Sequence, residues 1–540
     1  MKNKAFVITI IICLAIIVGV IAYSNLIERE TKSFAIIMTS DLQSQIAPFE
    51  MKIDGEKAMI GGIARIASAA RKAREGADYY TFLSSGDDLM APLFNVFGGV
   101  PEMVTMTRAG YMGATPGNHE FDRGADAYAE AIKSAGFQIV CANMDFDNGY
   151  LDKRIRDSYV WAPGELNIHV FGLMTPDFER LTKGAGVTID RDFVKVAKEQ
   201  VAIARKEKRD MIIAITHLGY DLDVKLAEAV PEIDVIVGGH SHEFAYDSVG
   251  KTIIIQAGAG GSHLGVLRFD FDGKAITSHR WETVLLDSTV GSDAKIDSIV
   301  DFYASAMQDS LGQVIGKSAV ELDARKSTVR GGEAAIGNFI AESWLDWIDG
   351  ADIALVNGGS IRGDRVYPAG ELTYYDAISI IPFRNEIFEA KMTGAQIAHA
   401  LEMAASAIRF NDDYCADTCR VAYGGFLQVA GITFEIDISQ RPFEAIYNGR
   451  SVSAIVDSGS RVSNVRTKTD GKWGAIDPTA EYTVLISSWL ASGGDGYYIF
   501  SDEVEEKKST TVYDTDVLVE YIKKNSPISP RTDTRIRIMK

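Results

Sequence analysis

The 540-residue chain is poor in cysteine, with 4, and in histidine, with 8. Positive charge is also short, because 55 Lys+Arg face 74 Asp+Glu and leave a formal charge of -19. Such a chain has no broad basic face to neutralise phosphates, which excludes nucleic acid as a general partner, and an anionic ligand must be met by local cations. Only one run is apolar enough to cross a membrane, and no repeat or low-complexity stretch stands out. Hydrophobic residues at 46% against 24% charged exclude disorder as the main state, and the length allows two large α/β domains.

The apolar run from Ala5 to Ala22 follows Lys2 and Lys4 and precedes the polar stretch Ser24 to Lys32. That order reads as an export signal, cleaved after Val20-Ile21-Ala22 or kept as a membrane anchor over residues 5–22, and it places the rest of the chain in the periplasm or at the cell surface. Cys13 is filler within the run. Cys415 and Cys419 lie four apart in a polar loop, where an oxidising compartment allows a disulfide or free thiols; no second Cys or His pair follows at zinc-finger spacing. Cys141 is left alone in an apolar run.

Short β-rich runs alternate with helical stretches through the first half: 34–38, 80–84, 211–215, 235–237 and 253–255. Ile296, Ile299, Val300, Tyr303, Met307 and Leu311 recur at helical spacing and predict a linking helix within 291–317. A second half from 318 to 540 has a helix over 333–348 with the stripe Ile336, Phe339, Ile340, Trp344 and Trp347, and strands at 353–356, 432–436 and 482–486. The expectation is an α/β chain: residues 1–32 for export, a catalytic domain over 33–290, the linking helix, and a second α/β domain.

Five strand ends of the first half carry metal-type ligands: Asp41 and Gln43, Asp87, Asn118 with His119, His217, and His240 with His242. One Asp or His at a strand end is ordinarily a cap or turn residue. Five together point to convergence, because the carboxyl ends of strands line the crevice of an open α/β sheet. Carboxylate, amide and imidazole donors without thiolate suit Mn, Mg, Zn or Fe, and two cations about 4 Å apart can clamp a phosphoryl group. Such cations also attract a phosphate that the net charge repels.

As a set, Asp41-x-Gln43, Gly86-Asp87, Gly117-Asn118-His119-Glu120, Thr216-His217 and Gly239-His240-Ser241-His242 resemble the calcineurin-like metallophosphoesterases. With Gly61-Gly62-x-Ala64-Arg65 and Asn118 through Asp122, the chain is similar more narrowly to the exported 5'-nucleotidase and nucleotide-sugar hydrolase family. The resemblance implies a β-sandwich flanked by helices, two divalent metal ions (Mn, Mg, Zn or Co), and a metal-bound hydroxide that attacks phosphorus in line. It implies that Asp87 bridges the ions, that Asn118, His217 and His240 complete one site, and that Asp41, Gln43 and His242 complete the other. His119 would stabilise the transition state or leaving group, oriented by Asp122. The family has His where Gln43 stands; a neutral amide oxygen there either ligates more weakly or binds nothing.

In the second half, Asn357 to Arg362, Pro382-Phe383-Arg384-Asn385, Gly425 to Gln428 and Trp489 to Gly496 sit in loops beside apolar runs. Aromatics, an aspartate in a glycine-rich turn and arginines make a nucleoside kit, although each alone reads equally as core or turn. The same segments resemble the family's C-terminal domain, which implies that Phe426 and Trp489 sandwich a base, Asp495 holds ribose, and Arg362 contacts phosphate or ribose. Arg384 and Asn385 are further substrate-binding candidates, and a solvated Arg384 is the alternative. The expected function is an exported phosphohydrolase that releases phosphate from nucleoside 5'-phosphates. Alternatives are a nucleotide-sugar pyrophosphatase, a 2',3'-cyclic nucleotide phosphodiesterase, or a non-catalytic binding protein of this fold.

Overall fold

The computed structural model describes residues 31–539 apart from 54–55, 183–185, 407, 411–419, 422–423, 449–450 and 470–471. The expected export signal, Cys13, Cys415 and Cys419 lie outside the described residues. Among those described, no helix is long and apolar enough to cross a membrane.

The strand Lys32–Thr39 sits in the middle of a seven-stranded sheet, between His263–Phe271 and Tyr79–Ser84. Its residues alternate between two cores. Phe34, Ile36 and Met38 face a second sheet, whereas Ala35 and Ile37 face helices. Period-2 alternation with both faces apolar is what a strand buried on both sides requires. The second sheet has six strands, with Met211–His217 flanked by Val235–Val237 and Ile168–Met174. Val170, Ile213, Ile215, Val237 and Ile255 fill the space between the sheets. This is the expected sandwich with outer helices, one of them Ile63–Ala73.

The linking helix is Ala294–Leu311, capped by Asp293, which accepts from the backbone of Lys295 and Ile296. It ends short of 317. Gly312 terminates it, and Val314–Ser318 is already a strand paired with Gly370–Thr373.

The second half is built on a five-stranded sheet with Ile353–Asn357 between Leu427–Ala430 and Glu481–Ser487. Helix Ala335–Trp347 covers one face and Gly394–Ser406 the other. Of the expected stripe, Ile336, Phe339, Ile340 and Trp344 are buried, but Trp347, the last residue of the helix, is 47% exposed.

Candidate metal and phosphate site

The loops that follow the central strands of the first half meet at one place. Asp87, His217 and His240 offer ligand atoms that all lie within 4.8 Å of one another. Asp87 Oδ2 is 3.3 Å from His217 Nε2, and His240 Nδ1 is 3.2 Å from the same nitrogen. The Nδ1–H of His217 donates to Ser85 O at 2.8 Å, which fixes its tautomer and leaves Nε2 facing the cluster. Beside this set, His242 Nε2 lies 3.4 Å from Asp41 Oδ1 and 3.2 Å from the Gln43 amide. Gln43 therefore stands with Asp41 around His242.

The backbone is bent to bring these groups in. Asp41, Gln43, Asp87, His240 and His242 all have φ between 50° and 80°, the left-handed region that side chains adopt at a cost. Gly117 has no such freedom to lose, because a Cβ there would stand 2.1 Å from Asp87 Oδ1. Asn118 Oδ1 is buried and has no hydrogen-bond partner. An orphaned amide oxygen beside two imidazoles and a carboxylate is a ligand set for a divalent cation, so the residues present fit one.

Glu120 holds the two main loops together. Its Oε1 accepts from the backbone N–H of Asp88 and Leu89 at 2.7 and 3.1 Å, and its Oε2 from Gly117 and Asp87 at 2.7 and 3.1 Å. Behind it, Thr216 Oγ1 donates to Asp223 Oδ1 at 2.6 Å, Gln256 donates to the other oxygen, and Ser241 donates to Gln256. This chain of bonds ties the His217 loop to the 240–242 loop.

The charges are strongly perturbed. Burial raises the pKa of Asp87, but His217 and His119 outweigh it and hold the carboxyl well below its usual range. Burial disfavours charge on His217, yet Asp87 overrides it and lifts the imidazole to about 10. His240, buried and next to His217, falls to about 4.

His119 Nδ1 lies 2.7 Å from Asp122 Oδ2, and its backbone N–H donates to Asp87 Oδ1 at 2.8 Å. Its Nε2 comes within 3.9 Å of Asp87 Oδ2. Opposite it stands the second half. The Phe383 ring lies nearly parallel to the His119 ring with centroids 6.5 Å apart, and the Arg362 guanidinium sits over the Phe383 ring, 5.0 Å from its centroid. Asn95 donates to Pro382 O at 2.9 Å across the same cleft.

Of the expected nucleoside contacts, Asp495 and Trp489 are brought together with Arg362. Asn357 Nδ2 donates to Asp495 Oδ2 at 2.6 Å, the Trp489 side chain hydrogen-bonds Asp495, and the indole lies on Gly494. Phe426 departs from expectation: it is wholly buried in the core with Leu427 and Val429 and offers no face to a ligand in this conformation. Arg384 is not brought to the cleft. At φ 50 it turns outward, pairs with Asp516 at 3.1 Å and lies 4.6 Å over the Tyr513 ring. Asn385 is buried, and its backbone carbonyl accepts from Asp514 N. Sequence reading passed over Phe383 as a cleft residue, as well as Asn357, Lys326 and Arg330; the mixed charge of the 323–330 segment was the available signal.

Comparison with known proteins agrees with this geometry. Residues 34–244 match the family model for calcineurin-like phosphoesterase, and 314–502 match that for the 5'-nucleotidase C-terminal domain. The chain is 26% identical over 544 residues to a Bos taurus 5'-nucleotidase, covering 93% of this chain and 90% of that protein. It is 27% identical to the trifunctional nucleotide phosphoesterase protein YfkN of Bacillus subtilis, covering 90% of this chain and spanning 34% of that longer relative. The crystal structure of a 5'-nucleotidase precursor from Thermus thermophilus superposes with a TM-score of 0.80 at 27% identity, covering 94% and 99% of the two chains.

Proposed function

Because the chain belongs to the calcineurin-like phosphoesterases that carry a 5'-nucleotidase C-terminal domain, a family of metal-dependent phosphoester hydrolases, we propose that it releases phosphate from nucleoside 5'-phosphates outside the cytoplasm. The observation that carries this reading is the facing of two sets of residues. Asp87, Asn118, His217 and His240 lie on one side of the cleft, and Arg362, Asp495 and Trp489 on the other. Asp87 would be shared between two divalent ions, with Asn118, His217 and His240 on one and Asp41, Gln43 and His242 on the other. When bound, such ions neutralise phosphate charge and make water a nucleophile at neutral pH.

The chain's own residues supply the rest. Arg362 meets the phosphate through a guanidinium fork. Asp122 and Asp495, which favour its charged form against the cost of burial, stand on either side of the cleft. Asp495 accepts from ribose hydroxyls and Trp489 presents an indole face to the base. His119 is positioned to hydrogen-bond the leaving oxygen through Nε2, with Asp122 holding the Nδ1 proton. Phe383 places its ring on the His119 side of the cleft. The apolar run at 5–22 supports export.

Phosphate release from AMP, UDP-glucose, a 2',3'-cyclic nucleotide and a simple aryl phosphate tests the reading. Turnover of AMP well above the aryl ester is expected, and inactivity on every nucleoside substrate contradicts it.

A further inference from the structure

Two of the ligand-bearing loops share a buried carboxylate that is neither a ligand nor a substrate contact. Asp223 comes from helix Tyr220–Ala229 and is wholly buried, as are Thr216 and Gln256 beside it. Its ionised form is favoured by Thr216, Gln256 and His217, with no lysine or arginine among them. A buried carboxylate that lacks a full counter-charge is costly, and packing alone asks for none.

Its use lies in what it accepts. Thr216 Oγ1 donates to Oδ1 at 2.6 Å and Gln256 Nε2 to Oδ2 at 3.1 Å. An ionised carboxylate only accepts, so it decides which end of the Gln256 amide turns toward it. The amide oxygen is thereby left for the Ser241 hydroxyl, which donates to it at 2.8 Å and itself accepts from Tyr220 N at 3.2 Å. Both ends of this row are tied to the histidines, because Thr216 immediately precedes His217 and Ser241 separates His240 from His242. Gly238 lets the chain close on the middle of the row: a Cβ there would stand 2.2 Å from Asp223 Oδ2 and 2.8 Å from Gln256 Nε2. The two imidazoles that the row spans approach to 3.2 Å.

We propose that Asp223 is a positioning residue of the metal centre, and that the donor order from Ser241 through Gln256 to Asp223, met by Thr216, sets the spacing of His217 and His240 for a divalent cation. This rests on the reading that those histidines hold an ion, and deepens it. Asp223→Asn keeps the size of the side chain but leaves one acceptor. With Thr216 on that oxygen, two amide N–H groups face each other, Gln256 must turn over, and the Ser241 hydroxyl loses its acceptor. Combining Asp223→Asn with Gln256→Glu restores every bond. The amide at 223 then donates to the carboxylate at 256, which accepts from Ser241, and Thr216 keeps its partner.

The test strips the full chain of metal and titrates it with Mn²⁺ by calorimetry at about pH 8, above the value of about 7 to which burial lifts the Asp223 carboxyl; the same samples are assayed for phosphate release from AMP. Asp223→Asn weakens Mn²⁺ binding about 10–100-fold, the range for groups that orient metal ligands, and lowers kcat on AMP. The double variant returns both to within about threefold of wild type. Ser241→Ala, which removes only the outer donor, shows a loss at the lower end of the range and stands in if Asp223→Asn does not fold. Wild-type Mn²⁺ affinity in Asp223→Asn, or a double variant that binds no tighter than the single one, overturns the positioning role while the nucleotidase reading stands. A wild-type chain that binds Mn²⁺ but frees no phosphate from AMP overturns the nucleotidase reading, and the affinities alone then decide the role of Asp223.

Discussion

Nδ1 of His119 lies 2.7 Å from Oδ2 of Asp122, three residues on, in the short turn that also presents Asn118. The pair leaves Nε2 facing the cleft, where it can serve a leaving oxygen without being a ligand. His119→Ala is expected to lower kcat by about 10²–10⁴-fold, the range of a positioned general acid, while metal content stays at the wild-type level. Elemental analysis beside steady-state kinetics checks this. Loss of metal together with activity would make His119 a ligand instead. Asp122→Asn should lower kcat less and leave metal content unchanged.

Gly117 is the tightest point of the centre, since a Cβ would meet Asp87 Oδ1 at 2.1 Å and Asp87 N at 2.4 Å. Gly117→Ala should therefore push Asp87 out of place and cut the metal bound per chain, with the fold retained by circular dichroism. Full metal content in this variant would show that the loop has room the structure does not indicate.

Gln43 meets His242 at 3.2 Å, where a histidine would add a second imidazole. Gln43→His should raise affinity for Zn at the Asp41 and His242 site by roughly tenfold, read by competition with a chelating dye. No change would mean that position 43 does not ligate.

Glu102 is buried on helix Val100–Ala109, with Oε1 accepting from Ser44 Oγ and Oε2 left without a partner. Burial raises its pKa from 4.5 to about 7. The folded chain thus binds a proton here that the unfolded chain has released, so stability of the metal-free protein falls as pH rises from about 4.5 to 7. Glu102→Gln, a permanent mimic of the neutral acid, should flatten that slope. Melting temperatures of the chelated protein between pH 5 and 7 decide it; an unaltered slope rules Glu102 out as the group responsible.

The central strands and their ligand-bearing ends were legible because each is a local pattern. An apolar run of β-formers, then Asp41, Asp87 or His217, can be read without knowing any partner. What escaped depends on distant pairings. Glu120 belongs to a visible motif, but its four backbone contacts join loops some 30 residues apart. Arg384 reads as a cation near the substrate until Asp516, 132 residues later, is seen to hold it. Phe426 has the composition of a stacking residue, and only the closure of the core around it shows that it is buried here. The stripe from Ile296 to Leu311 marked the linking helix because it too is a local pattern, and Gly312 ends it.

With a formal charge of -19, the proposed phosphohydrolase should draw in a phosphate only through divalent ions held at Asp87. Isothermal titration of the chelated chain with Mn²⁺, followed by AMP binding and phosphate release on the same samples, tests it most directly. Two ions per chain, with AMP binding and turnover both absent before metal and both present after it, is the expected result. Undiminished AMP binding and turnover in the metal-free chain would contradict it.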